Sequence, residues 1–254
     1  MRTLLLLLSG DTLTRLVFLP TLACLPLLFF RRGAKEPVKI YTLIVGLVHF
    51  GLTIAFAAGH WQTAGFSFRE VGPDGGVIEW ISLPNLRVLF DLRMDGISLP
   101  LVLLTSLLLP VVVLGSWRGV DKHWTGFAAS LLLLQTGILG ALLAYDLLVF
   151  YVFWEVMLVP MYLLIGIWGG ERRIYAAVKF FLFTMAGSLL MLIAILWMGW
   201  TYSTLAGGVW SFGYDDFLRL ELPVGQQLWL FGAFALAFAI KVPMFPFHTW
   251  LPDA

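Results

Sequence analysis

Two ionisable residues stand where water is not expected. Glu155 lies in LLVFYVFWEVMLVPMYLLIGIWGG, after seven apolar or aromatic residues running back to Leu148. Lys241 lies in LWLFGAFALAFAIKVPMFPFHTWLPDA, after thirteen uncharged residues from Leu228 to Ile240. At about 1.5 Å of rise per residue, each falls near the middle of a stretch long enough to cross a bilayer. An unpaired charge at that depth costs about 3 kcal/mol or more. A carboxylate and an ammonium at one depth relieve each other, because each favours the charged form of its partner. Loosening such a pair frees the lysine to release its proton, so the chemistry open to these two residues is proton transfer through a membrane. The bland alternatives are a protonated Glu155 bonded to another helix and a Lys241 that snorkels to an interface. Snorkelling has far to reach from Lys241. Pro243, two residues on, also removes a backbone donor and frees the carbonyl four residues earlier, at a depth where free carbonyls need protein or water beside them.

Three further residues belong to this group. His248 follows Lys241 by seven residues, beyond Pro243 and Pro246. An ordinary histidine pKa of about 6.5 suits a relay, and a satisfied core residue is the equal alternative. Lys179, in RRIYAAVKFFLFT, is either an interface anchor or a residue through which protons come in from the inner side. His49 has no companion charge and reads as core. Asp146, Arg172 and Arg173 read as interface charges. The sequence contains no CxxC, HExxH or GxxxxGK[ST], and no GxGxxG opening a helix after a strand. Four scattered histidines and the single Cys24 form no recognisable haem or iron–sulfur pattern. The chain reads as holding no metal, no cofactor and no redox centre of its own.

The elements that must position these residues follow from composition. Of 254 residues 60% are apolar, only 12% are charged, and mean hydropathy is +0.92. That excludes a disordered chain, a coiled coil and a single water-soluble globule. A net charge of +1 gives no reason to expect nucleic acid as a partner, and the lipid bilayer becomes the expected surroundings. The apolar runs predict an all-α polytopic membrane protein with about seven transmembrane helices: 13–30, 40–58, 98–117, 125–144, 147–168, 177–200 and 227–254. The seventh is broken by its prolines. MRTLLLLLSG, with its basic start, reads as a lead-in to the first span rather than a removed signal peptide, since no small-residue cleavage pattern follows. Residues 1–97 form one region, two spans and an outer loop, and 98–254 form the second. The basic residues of the 31–39, 118–123 and 169–179 stretches lie on one side and place the amino terminus outside. In the polar 59–97 stretch, GPDGG at 72–76 between FSFRE and VIEWISL predicts a small extramembrane hairpin or an ordered loop.

DGISLPLVLLT (95–105), FYVFWEVMLVPMYLLIGIWGG (150–170), RRIYAAVKFFLFTMAGS (172–188) and FAIKVPMFPFHTWLPDA (238–254) together resemble the antiporter-like membrane chains of respiratory complex I. WEVMLVPMYLLIGIWGG resembles the M-type chains among them. The likeness is clearest from about residue 91 onward. It implies a proton-pumping module of a bacterial inner-membrane NADH:quinone oxidoreductase, whose partners are other membrane subunits, including neighbouring antiporter-like chains. NADH, FMN, iron–sulfur clusters and quinone would belong to the whole complex. It also implies that Glu155 and Lys241 form one end of a charged axis at mid-membrane, with Lys179 and His248 near it. Chains of this kind are roughly double this length, with two inverted sets of five spans; the present sequence corresponds to the first set and lacks the second. A subunit of a multi-chain sodium/proton antiporter is the alternative function, and a scaffold whose polar residues serve only assembly is the third.

Overall fold

The computed structural model describes residues 13–31, 33–61, 67–72 and 75–254. The MRTLLLLLSG segment lies outside them. Helices dominate: α1 (Leu13–Leu22), α2 (Lys35–Gly59), α3 (Ser98–Gly115), α4 (Trp124–Leu143), α5 (Leu147–Val156), α6 (Leu158–Trp168), α7 (Arg173–Leu205), the short α8 (Tyr214–Phe217) and α9 (Val224–Lys241). Two 3-10 turns, Pro26–Phe29 and Phe247–Asp253, follow α1 and α9. Among the described residues six helical stretches are long and apolar enough to cross a bilayer, α5 and α6 counting as one, and the shorter apolar stretch Leu13–Phe29 joins them. The chain is an all-α polytopic membrane protein.

Proline sets where these helices stop. A proline ring clashes with the carbonyl four residues earlier. Leu22, the last residue of α1, stands four before Pro26, and Val156, the last of α5, stands four before Pro160. Val242, which closes α9, stands four before Pro246. The span predicted as 147–168 is thus two helices with a break at Met157. The first span is likewise a short helix and a turn rather than one long helix.

The chain divides into two compact units: Met1–Ile78 with Asp91–Tyr145, and Glu79–Phe90 with Asp146–Ala254. In the first unit α2 packs on α3, and α1 and α3 pack on α4. Gly46 of α2 lies against Pro110 of α3, where a Cβ would meet Pro110 Cδ at 3.1 Å. Pro20 cannot donate to the carbonyl of Leu16, and His49 Nε2 takes that place at 2.9 Å. The amide of Gln135 contacts His49 Nδ1 at 3.0 Å. With the amide donating, His49 is neutral, fully buried and spent at both nitrogens, as its core reading anticipates.

Two small sheets lie between the helices. In the first unit β1 (Ser67–Arg69) pairs antiparallel with β4 (Arg93–Asp95). Arg69 and Arg93 face each other in this ladder, and the buried Asp91 carboxylate takes both guanidiniums, at 2.8 and 2.6 Å. Asp95 then caps α3: its carboxylate accepts from the Ile97 and Ser98 amides and from Ser98 Oγ, which holds its pKa below the usual carboxylate range. Glu70 Oε2 accepts from the amide and hydroxyl of Thr14 at the start of α1, while burial pushes its carboxyl pKa up. In the second unit β2 (Ile78–Leu83), β3 (Leu86–Phe90) and β5 (Trp210–Ser211) form a sheet in that order, with β5 parallel to β3.

The predicted hairpin around GPDGG takes another form. Gly72 and Gly75 do make a turn, closed by a 2.9 Å bond from the Gly75 amide to the Gly72 carbonyl. The strands beside it, however, do not pair with each other. β2 pairs instead with β3 across Pro84–Asn85. A two-residue connection closes at lower entropic cost than the longer one through 72–76. β1 is held elsewhere, with Phe68 edge-on to Phe56 at 5.0 Å and to His60 at 4.6 Å.

Candidate functional site

The site lies within the second unit, where α5, α7 and α9 bring their polar residues together. Asp146 starts α5. It is fully buried, its Oδ1 accepts from the Leu148 and Val149 amides at 3.0 and 3.2 Å, and its Oδ2 accepts from the Leu89 amide of β3 at 3.0 Å. Read from sequence as an interface charge, it is instead the buried cap that fixes the helix carrying Glu155. Glu155 sits in the last turn of α5, directly before the break that Pro160 imposes. Tyr151, one turn earlier, interacts with both Glu155 and the buried Ser188 of α7.

Lys241 is the last residue of α9. The carbonyl end of a helix favours a cation. The prolines that follow leave carbonyls to be satisfied, and the succeeding turn does so. The Val242 amide donates to Phe238 and the Met244 amide to Ala239, both at 2.8 Å. The indole of Trp250 donates to Ile240 O at 2.8 Å. Lys241 Nζ lies over the ring of Trp154, 4.8 Å from its centroid, and feels the charge of Glu155. Among the described residues no direct ion pair joins the two. One Glu155 oxygen, Lys241 Nζ and His248 Nδ1 are buried and have no hydrogen-bond partner in the protein. The only other such side-chain atom among the described residues is Glu70 Oε1. A buried polar atom left unpaired costs about 1–3 kcal/mol, and three of the four such atoms fall on residues singled out by sequence.

The structure brings Glu155 and Lys241 to neighbouring helices and places His248 in the turn that follows Lys241. Lys179 is engaged differently. Its ammonium donates to Thr249 O at 2.5 Å and to Asp253 Oδ2 at 2.9 Å, and Arg172 reaches Asp253 Oδ1 at 2.7 Å. Sequence reasoning missed Tyr151, Trp154, Ser188, Trp250 and Asp253. Tyr151 had a signal, since it stands one turn before Glu155 on the same helix face. Trp154 and Trp250 gave none, because an aromatic residue in an apolar run looks like any other.

Gly187 sets the approach of α7 to α9. A Cβ there would meet Ile240 Cδ1 at 2.8 Å and Ala237 Cα at 3.3 Å. Alanine would ordinarily gain about 1 kcal/mol over glycine in a helix interior. Here that gain is offset by displacement of the residue next to Lys241. Gly187→Ala is therefore expected to be near neutral, and Gly187→Val to destabilise by about 1–3 kcal/mol. Thermal unfolding of the two variants checks this; a Val variant as stable as Ala would mean the helices are not in contact there.

Fold and site define a polytopic membrane chain with ionisable groups buried among kinked helices. Residues 144–254 match the family described as NADH:quinone oxidoreductase/Mrp antiporter, transmembrane. The chain is 39% identical over 235 residues to NADH-quinone oxidoreductase subunit M of Escherichia coli K12, covering 88% of this chain and 44% of that one. It is 39% identical over 250 residues to an NAD(P)H-quinone oxidoreductase chain 4 of Synechococcus elongatus, covering 95% and 43%. Among solved structures it matches a chain of respiratory complex I from Thermus thermophilus at 32% identity and a TM-score of 0.75, covering 95% of this chain and 46% of that one. The chain spans less than half the length of these relatives.

Proposed function

We propose that this chain acts as a proton-translocating membrane subunit of an NADH:quinone oxidoreductase in a bacterial inner membrane, its amino terminus on the outer side. Electron transfer, with NADH, FMN, iron–sulfur clusters and quinone, takes place in other subunits, and this chain holds no redox centre. Other membrane subunits, including further antiporter-like chains, are its partners. The observation that carries this reading is the set of unpartnered buried polar atoms on Glu155, Lys241 and His248. The names of the relatives agree with it.

In this reading Lys241 stores the proton. Its ammonium is favoured by the negative end of α9, by the face of Trp154 and by the Glu155 charge. Movement or protonation of Glu155, transmitted from the redox arm, weakens that hold. The proton then passes toward His248, one turn beyond the helix break. Lys179, at the inner end of α7, stands where protons from the inner side reload the path.

The test is made in the assembled complex. Purification through this chain is expected to bring flavin and iron–sulfur subunits, and Glu155→Gln is expected to lower proton ejection per NADH oxidised at least severalfold. Copurification with sodium/proton antiporter subunits alone would instead support the antiporter alternative. Wild-type proton ejection in Glu155→Gln would remove Glu155 from the path.

A further inference from the structure

The turn Phe247–Asp253 is tied at its far end and in its middle. At its far end Asp253 receives Lys179 at 2.9 Å and Arg172 at 2.7 Å, while Lys179 also holds the carbonyl of Thr249. Both cations come from the start of α7 or the residue just before it. In its middle Trp250 is buried against Phe180 of α7, ring centroids 5.1 Å apart, in a cluster with Leu158, Ile165 and Ala177. The same indole donates to Ile240 O. That carbonyl belongs to the peptide unit that carries the Lys241 nitrogen, so the bond fixes the plane from which the Lys241 side chain leaves α9. Asp253 is mostly buried, 15% exposed, and Lys179 is 18% exposed. Neither is a loose surface pair.

From this chain of contacts we propose that Asp253 is a positioning residue for Lys241, acting through the indole of Trp250. The carboxylate pins the turn to α7, and the pinned turn presents the indole to the Ile240 carbonyl, one residue before the end of α9. Lys179 then has a part apart from any relay: its charge holds the turn that orients Lys241. Loss of the Asp253 charge slackens the turn, the indole leaves Ile240 O, and the unpaired carbonyl is free to turn toward the Lys241 ammonium. A carbonyl oxygen accepting from the ammonium favours the loaded form, so release of the proton is expected to need higher pH. The charged and titratable groups around the turn and Lys241 are Arg172, Tyr175 and Lys179 from the α7 side, Tyr151 and Glu155 from α5, Lys241 itself on α9, and His248 and Asp253 within the turn.

This inference rests on Lys241 being the proton-storing group. It is tested in the assembled complex with Asp253→Asn, Asp253→Glu and Trp250→Phe. Trp250→Phe keeps the packing against Phe180 and removes only the indole donor. The pH profile of proton ejection per NADH oxidised is expected to move upward by about one unit, tenfold in proton affinity, in Asp253→Asn and Trp250→Phe. Asp253→Glu is expected to restore the wild-type profile. Superimposable profiles in Trp250→Phe and the wild type would overturn the inference. Lys241→Ala, measured alongside, separates the two ideas. If it ejects protons like the wild type, the functional reading itself falls. If it is inactive while the Trp250→Phe profile is unmoved, only the positioning role falls.

Discussion

Lys241→Ala is expected to abolish proton translocation through this chain while the complex still assembles. The substitution removes the ammonium that faces the Trp154 ring at 4.8 Å and balances Glu155. It leaves the Glu155 carboxylate in apolar surroundings without the cation that faces it. A positioned proton-transfer group contributes on the order of 10²-fold or more, and nothing else on α9 can take its place. Lys241→Arg separates charge from proton exchange. The guanidinium keeps the positive charge beside Trp154 but does not give up its proton in proteins, so this variant too is expected to be inactive. Ejection of protons by vesicles oxidising NADH measures both. Recovery of activity in the arginine variant would show that Lys241 supplies only a fixed charge.

Asp146→Ala is expected to have the largest effect on stability. The carboxylate is fully buried and satisfies three amides, two at the start of α5 and one in β3. Alanine leaves all three without an acceptor, at about 1–3 kcal/mol for each buried group that finds no substitute. Part of that is recovered by rearrangement, which leaves a loss of about 3 kcal/mol or more. Asp146→Asn keeps one oxygen acceptor and is expected to lose roughly half as much. The damage falls on the helix that presents Tyr151 and Glu155, so activity should drop in the surviving complex as well. The unfolding temperature and yield of the assembled complex report both variants. An alanine variant as stable as the wild type would mean that water reaches these amides freely.

Spans and charges were legible in the sequence for physical reasons. Hydrocarbon imposes a minimum length of apolar chain, so α3 and α4 begin and end close to their hydropathy limits, and α2, α7 and α9 begin near theirs. Charge at depth is costly, so Glu155 and Lys241 stand out without any partner being known. What stayed hidden was partnership. Asp146 looks like a loop charge because the sequence does not say that β3 will bring an amide to it. Asp253 looks like the end of a polar segment until α7 supplies Lys179 and Arg172. The partners of the strands on either side of 72–76 were not legible, because local turn chemistry ranks possible hairpins but not the contacts that compete with them. Pro160 stands inside an apolar run of full span length, and that continuity hides the break at Met157.

Two helix breaks in this chain come with remote side chains that complete them. His49 reaches the carbonyl that Pro20 leaves bare, and Trp250 reaches one left by the break after α9. Each such pair behaves as a lock and its filler: the residue that interrupts the helix and the donor that repairs it are tied across dozens of positions or a single turn. Drift at one member is therefore constrained by the other. A donor becomes dispensable once its proline is gone, whereas loss of the donor alone strands a bare carbonyl in oil. Bends in this membrane chain are thus built as couples rather than as single residues.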